Sequence, residues 1–259
     1  MLNPHIMKNS SQIALLPLFV LVIISCGTEK IETTEAPVDN LEIETKDVAP
    51  LNFENLEFLA YPDAIIEMHS PLGNENFQEG AVPFEFNIKN YPFQDEPKGF
   101  LLRMSVNGDN PVSHHMPIFK ENFTTGTYRS VAYLIDPEGI ALKEFGNYVD
   151  RDFLVGDSQP FPESDEPYMV INLPDNDQVF AAGEDVIIDY LLIGGDLKED
   201  KLKFIVSVNG HEHEIKDLAP LQISNLEAGE HEVRVRLVRE NGDELDGIFS
   251  SGKRNFIVQ

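Results

Sequence analysis

From about residue 50 to the C-terminus, apolar and polar positions alternate with a period of two. In Asp185-Val186-Ile187-Ile188-Asp189-Tyr190 one side is Val, Ile and Tyr. In Leu202–Val208 the apolar set is Leu202, Phe204, Val206 and Val208, and Glu232–Leu237 alternates between charged and apolar residues. That period predicts half-buried antiparallel strands. Asn209-Gly210 and Asn241-Gly242 sit between such runs and predict two-residue hairpin turns with both residues at positive φ. No window carries a sustained helical stripe. Short strands spaced by turn signals predict an all-β protein built of sandwiches.

The pattern repeats. Ser105-Val106-Asn107-Gly108 recurs as Ser207-Val208-Asn209-Gly210, and Phe153-Leu154-Val155 as Phe256-Ile257-Val258. Phe77 and Gly80 match Phe180 and Gly183, Tyr128 matches His231, and Gly139 and Leu142 match Gly242 and Leu245. A register held this long predicts two copies of one module, each of ordinary single-domain size. The expected organisation is a leader at 1–25, a tether at 26–52, a first module at 53–156, a linker at 157–167 and a second module at 168–259. The linker holds Pro160, Pro162 and Pro167 among acidic residues, which predicts a semi-stiff spacer.

The N-terminus has a different pattern. Polar residues carrying Lys8 precede an unbroken apolar run, Ile13–Ile24, then Ser25 and Cys26. A bilayer core takes about 20 apolar residues, so this run is short for a span and fits the apolar region of a signal peptide. Ile23-Ile24-Ser25-Cys26 resembles the lipobox of bacterial lipoproteins, although Ala or Ser is commoner than Ile at position 24. The resemblance implies cleavage before Cys26 and lipidation of that residue, the only cysteine in the chain. Several acyl chains on one residue hold a membrane far better than one. The acidic, Thr-containing stretch after Cys26 lacks the apolar content to fold and predicts a flexible tether. Acidic residues directly after the cysteine resemble the surface-export signals of Bacteroidota lipoproteins. That resemblance implies the outer membrane, with the cell surface favoured over the periplasmic face.

The second copy's Leu226-x-x-Gly229-x-His231-x-Val233-x-Val235-x-Leu237, followed by Asn241-Gly242, resembles the immunoglobulin-like modules of bacterial surface proteins. The fold implied is two tandem immunoglobulin-like antiparallel β-sandwich domains. Such scaffolds host adhesion, glycan binding, metal binding and plain spacing alike, so activity does not follow from the fold.

Charge narrows the partners. With 45 acidic against 19 basic residues the chain carries −26, which repels phosphate backbones and argues against nucleic acid. The candidate chemistry is sparse. His211 and His213 follow the Asn209-Gly210 turn on one strand face, where two imidazoles can grip Cu²⁺ or Zn²⁺. His114, His115 and Met116 offer imidazoles beside a thioether, a set that suits copper. Both clusters lack a third or fourth well-placed ligand. Tyr91 and Phe93 lie in a long loop of the first copy and are candidate stacking platforms for a sugar. There is no Gly-x-Ser-x-Gly elbow and no glycine-rich phosphate loop, and the lone thiol is committed to lipid. The reading is a non-catalytic, lipid-anchored binding or spacer protein whose partner is a surface protein or a polysaccharide. The alternative is a copper- or zinc-binding envelope lipoprotein.

Overall fold

The structure is a computed structural model that describes residues 50–93 and 101–259. The leader, Cys26 and the tether through Ala49 lie outside the described residues. The described chain is all-β, with no helix.

The first module pairs β2 (Ile65–Ser70), β4 (Gly80–Lys89) and β7 (Ile118–Phe123) into one sheet. Its second sheet runs β3 (Glu75–Phe77), β9 (Tyr148–Val155), β8 (Gly126–Leu134), β5 (Leu102–Val106) and β6 (Val112–His114). The second module repeats the plan. One sheet contains β10 (Tyr168–Leu173), β12 (Val186–Ile193) and β15 (Leu221–Ser224). The other contains β11 (Gln178–Phe180), β17 (Ser251–Val258), β16 (Gly229–Arg239), β13 (Leu202–Val208) and β14 (His211–Ile215).

The repeat survives to the level of single contacts. β3 and β11 each pair parallel to the last strand of their module, with Phe77 opposite Val155 and Phe180 opposite Val258. Tyr128 stacks on Phe153 at 5.3 Å between ring centroids, and His231 stacks on Phe256 at 5.3 Å. The Asn209-Gly210 hairpin has both residues at positive φ, 49° and 86°, and sets Val208 opposite His211 and Val206 opposite His213, as the sequence predicts. At Asn241-Gly242 only the glycine has positive φ. Arg239 N–H donates to Asp243 O and Gly242 N–H to Arg239 O, which makes a longer loop with the glycine in the left-handed position.

Inward-facing residues of each pair of sheets make one core per module. Phe84, Leu102, Met104, Leu134 and Phe153 fill the first, and Val186, Tyr190, Phe204, Val235 and Phe256 the second. A third core lies between the modules. Val131, Tyr133 and Ile135, on or just beyond the outer face of β8, pack against Tyr168, Val170, Leu191 and Ile193 from β10 and β12. The two sandwiches are thus joined sheet on sheet, making four stacked layers. Both faces of these strands are covered, so Val131–Ile135 and Ile188–Ile193 are buried at every residue instead of alternately. Asp189, on the polar side of its strand by sequence, is fully buried there.

The stretch 157–167 is pinned to both sides, unlike a free spacer. Ser158 Oγ donates to Gly126 O, Thr127 Oγ1 to Gln159 O, and Glu166 accepts from Arg239. A second difference lies at the start of the first module. Asn52–Asn55 (β1), placed by sequence at the boundary of tether and first module, pairs antiparallel with β15 of the second module and becomes the fourth strand of its sheet. Periodicity fixes which residues of a strand face the core, but it does not identify the edge that the strand joins.

Candidate functional site

A groove of about 950 Å³ lies where the modules meet. Its construction begins in the polar part of the joint. Asp189 Oδ2 accepts from Ala141 N–H at 2.8 Å and Asn172 Nδ2 at 2.6 Å, while Oδ1 meets Lys143 Nζ at 2.5 Å. Lys143 also donates to Tyr190 O at 2.7 Å. Asn172 Oδ1 accepts from Arg103 Nη1 at 2.9 Å and from the Tyr133 hydroxyl at 3.0 Å, and Arg103 also pairs with Asp175. Apart from Arg103 Nε, the buried polar side-chain atoms of this cluster that links the modules have partners, as desolvated groups require. Arg254 reaches across to the carbonyls of Gly108 and Asp109, and burial lowers its pKa below the ordinary guanidinium value. The first copy's hairpin is one residue longer than the second's, since Met104 pairs with Val112 where Val206 pairs with His213. Its tip lies against the second module, where Asn110 accepts from Asn176 N–H.

On the groove itself, Arg129 ion-pairs with Asp152 at 2.6 Å, and its guanidinium lies over the Tyr168 ring at 4.7 Å. The Asp152 partner raises the Arg129 pKa. Phe145 stands on the rim, 94% exposed. It sits at the tip of a turn that is immobilised by buried Asn147. The Asn147 amide donates to Tyr61 O and Ala64 O, and its oxygen accepts from Glu144 N–H. Gly146 takes φ +96°, a conformation side chains resist. An aromatic ring is therefore held rigidly in solvent beside a groove with both cations and carboxylates. Arg151, also lining it, makes no side-chain hydrogen bond or ion pair among the described residues.

Burial at and beside this joint has a measurable consequence. Tyr133, Tyr168 and Tyr190 all have phenols raised above the ordinary 10.0, chiefly by burial, with Asp150 adding to the effect at Tyr168. Above that pH an unfolded chain gives up these protons while the native state keeps them. Stability is therefore complete below about pH 10 and falls as pH rises beyond it. In an alkaline titration, phenolate absorbance from these three rings is expected only together with loss of near-ultraviolet circular dichroism. Reversible ionisation of all seven tyrosines in an intact fold would refute that coupling.

The sequence-derived candidates fare differently. Tyr91 is buried, and its hydroxyl donates to Ile135 O at 2.7 Å. Phe93 packs edge-on against Tyr61 and Tyr91. Tyr91 is thus enclosed in the first core, and Phe93 is half-buried against it. His114 stacks on Phe119 at 3.6 Å and its Nε2 lies 3.2 Å from Glu121, while His115 and Met116 are exposed in the following bend. His213 stacks on Phe53 at 5.0 Å and His211 is exposed, so the two imidazoles share a strand face in different surroundings. Among the described residues, no three His, Cys, Asp or Glu side chains gather as a metal would need. His231 has both ring nitrogens engaged, by Asn209 and Glu227 O. Neither the groove nor Phe145 was singled out from sequence. The Glu144-Phe145-Gly146-Asn147 turn was its one legible signal.

No protein-family model matches the chain, and no curated protein is similar to it. Among solved structures it is similar to the fibronectin(III)-like modules of Clostridium thermocellum CbhA, at 16% identity and a TM-score of 0.29, covering 75% of this chain and 94% of that one. It is also similar to three N-terminal domains of the bacteriophage RB49 outer capsid protein Hoc, at 11% identity and a TM-score of 0.24, covering 76% and 70%. A third likeness is to a Corynebacterium diphtheriae protein described as membrane anchored, at 12% identity and a TM-score of 0.26, covering 76% and 58%. The all-β sandwich assignment rests on the strand pairing described above.

Proposed function

We propose that this chain is a lipid-anchored, non-catalytic protein of a bacterial envelope, in which two fused sandwiches act as one presenting body for a surface protein or a polysaccharide. The observation that carries this reading is the sheet-on-sheet joint. A third apolar core and a buried polar network fix the modules against each other, and the groove beside them exists only because they are fixed. A pre-organised surface loses little entropy on binding. Lipid at Cys26 supplies the membrane attachment that a charge of −26 opposes on anionic lipid. The tether holds the body off the bilayer, and the outer membrane with its outer face is the compartment this reading implies.

Fractionation tests the anchor. The full-length protein is expected in the membrane fraction, carrying label from a fatty-acid analogue, and Cys26→Ser is expected to lose the label and to leave the lipid-anchored state. Unlabelled wild-type protein would remove the anchor from the reading. In the same preparations Phe145→Ala is expected to keep the native circular dichroism while weakening retention on polysaccharide or surface-protein partners that use the groove.

A further inference from the structure

The two copies differ at one equivalent edge. In the second module, β1 covers the open side of β15: Phe53 pairs with Ile223 and Glu54 with Gln222, and Leu56 N–H donates to Pro220 O at 2.8 Å. The Phe53 ring reaches between the sheets and stacks on His213 of β14. In the first module the corresponding strand is β7, since Phe119 pairs with Phe84 as Ile223 pairs with Val186, each against a fully buried residue. Among the described residues no strand pairs with the outer side of β7. The position of His213, opposite Val206, is taken in the first module by Val112, opposite Met104. Where His213 is covered by Phe53, Val112 is 52% exposed. Met116 and Ile118, before and at the start of β7, are 63% and 58% exposed.

The backbone along this edge faces outward. Phe86 N–H donates to Pro117 O, so alternation turns the amides of Phe119 and Glu121 toward β4 and those of Ile118 and Lys120 toward solvent. We propose that the bare β7 edge is a strand-addition site for an extended segment of a partner polypeptide, paired antiparallel as β1 pairs with β15. The chemistry of the occupant follows from its neighbours. An aromatic side chain opposite Phe119 covers Val112, an aliphatic one lies by Ile118, and an acidic one meets Lys120. Main-chain hydrogen bonds supply affinity in such pairing, and the alternate side chains supply selectivity. This inference deepens the reading of the chain as a partner-binding protein by naming the class of partner.

The test uses detergent-solubilised full-length protein and a fluorescent peptide with the sequence of Pro50–Glu57 carrying Asn52→Asp and Glu54→Val. Anisotropy is expected to show saturable binding. Lys120→Pro removes an amide that faces solvent and leaves the β4 ladder whole, which edge strands tolerate. It is expected to weaken binding at least about tenfold, as is Phe53→Ala in the peptide, since the loss of one good contact amounts to about that factor. Ile118→Glu, at an exposed position that does not threaten the fold, is expected to act in the same direction. No binding, or binding indifferent to Lys120→Pro and Ile118→Glu, would overturn the proposal. A concentration-dependent dimer abolished by Lys120→Pro would also overturn it, by assigning the edge to a second copy. Each of these failures leaves the membrane-anchor readout of Cys26→Ser untouched.

Discussion

Replacing Lys143 with Met is expected to destabilise the protein by about 3–5 kcal/mol, because removing one member of a buried ion pair leaves the other charged and desolvated. The pair is enclosed at side-chain exposures of 2% and 0%, and Lys143 is the only cation bonded to Asp189 among the described residues. Asp189 still accepts from Ala141 N–H and Asn172 Nδ2, but neutral donors do not replace a counter-charge at that depth. Lys143→Met/Asp189→Leu is expected to regain only part of the loss. It removes the buried charge but leaves the Ala141 amide and one N–H of Asn172 without an acceptor, at about 1–3 kcal/mol for each unsatisfied group. Chemical denaturation of the single and double variants measures both quantities. A Lys143→Met variant as stable as the parent would mean that water reaches Asp189, and the joint would then be looser than its geometry.

Leu191→Asp is expected to take the modules apart without unfolding either. Leu191 is 1% exposed in the third core, among Val131, Tyr133 and Val170, and faces away from the core of its own module. Burying an unpaired carboxylate there is prohibitive, and the chain avoids it by opening the joint. Each apolar side chain re-exposed removes about 1.5–3 kcal/mol of stabilisation, so docking is lost as a unit. Small-angle scattering should show a larger radius of gyration, and denaturation should change from one transition to two. A single transition with unchanged dimensions would show that the joint stays closed around the new carboxylate and overturn this expectation. Binding that uses the groove should disappear in this variant, whereas peptide binding at β7 should persist, because β7 belongs to the sheet of the first module that is remote from the joint.

Several features were legible in the sequence because they are local. The period of two fixed which side of β13 and β16 faces inward, since successive side chains of a strand point to opposite faces. Asn209-Gly210 set the hairpin and with it the register of His211 and His213, because few residue pairs accept positive φ at both positions. The repeat established two copies of one fold down to the Tyr128–Phe153 and His231–Phe256 stacks.

What the sequence left open depends on contacts between segments far apart in the chain. Asp189 reads as a solvent-facing residue on an alternating strand, and only the arrival of Lys143 and Asn172 from other segments makes it a buried anchor. The outer apolar faces of β8, β10 and β12 carry no label saying that they meet each other, so two modules on a linker and two modules fused face to face share one pattern. Tyr91 and Phe93 look like loop aromatics until the two rings are seen packed into and against the first core. The journey of β1 to β15, which leaves β7 bare by contrast, is likewise decided by tertiary structure. Local pattern determined the modules and their inward faces, because backbone geometry imposes those residue by residue. The joint, the groove and the open edge were decided only in three dimensions, because packing selects among partners that periodicity leaves equivalent.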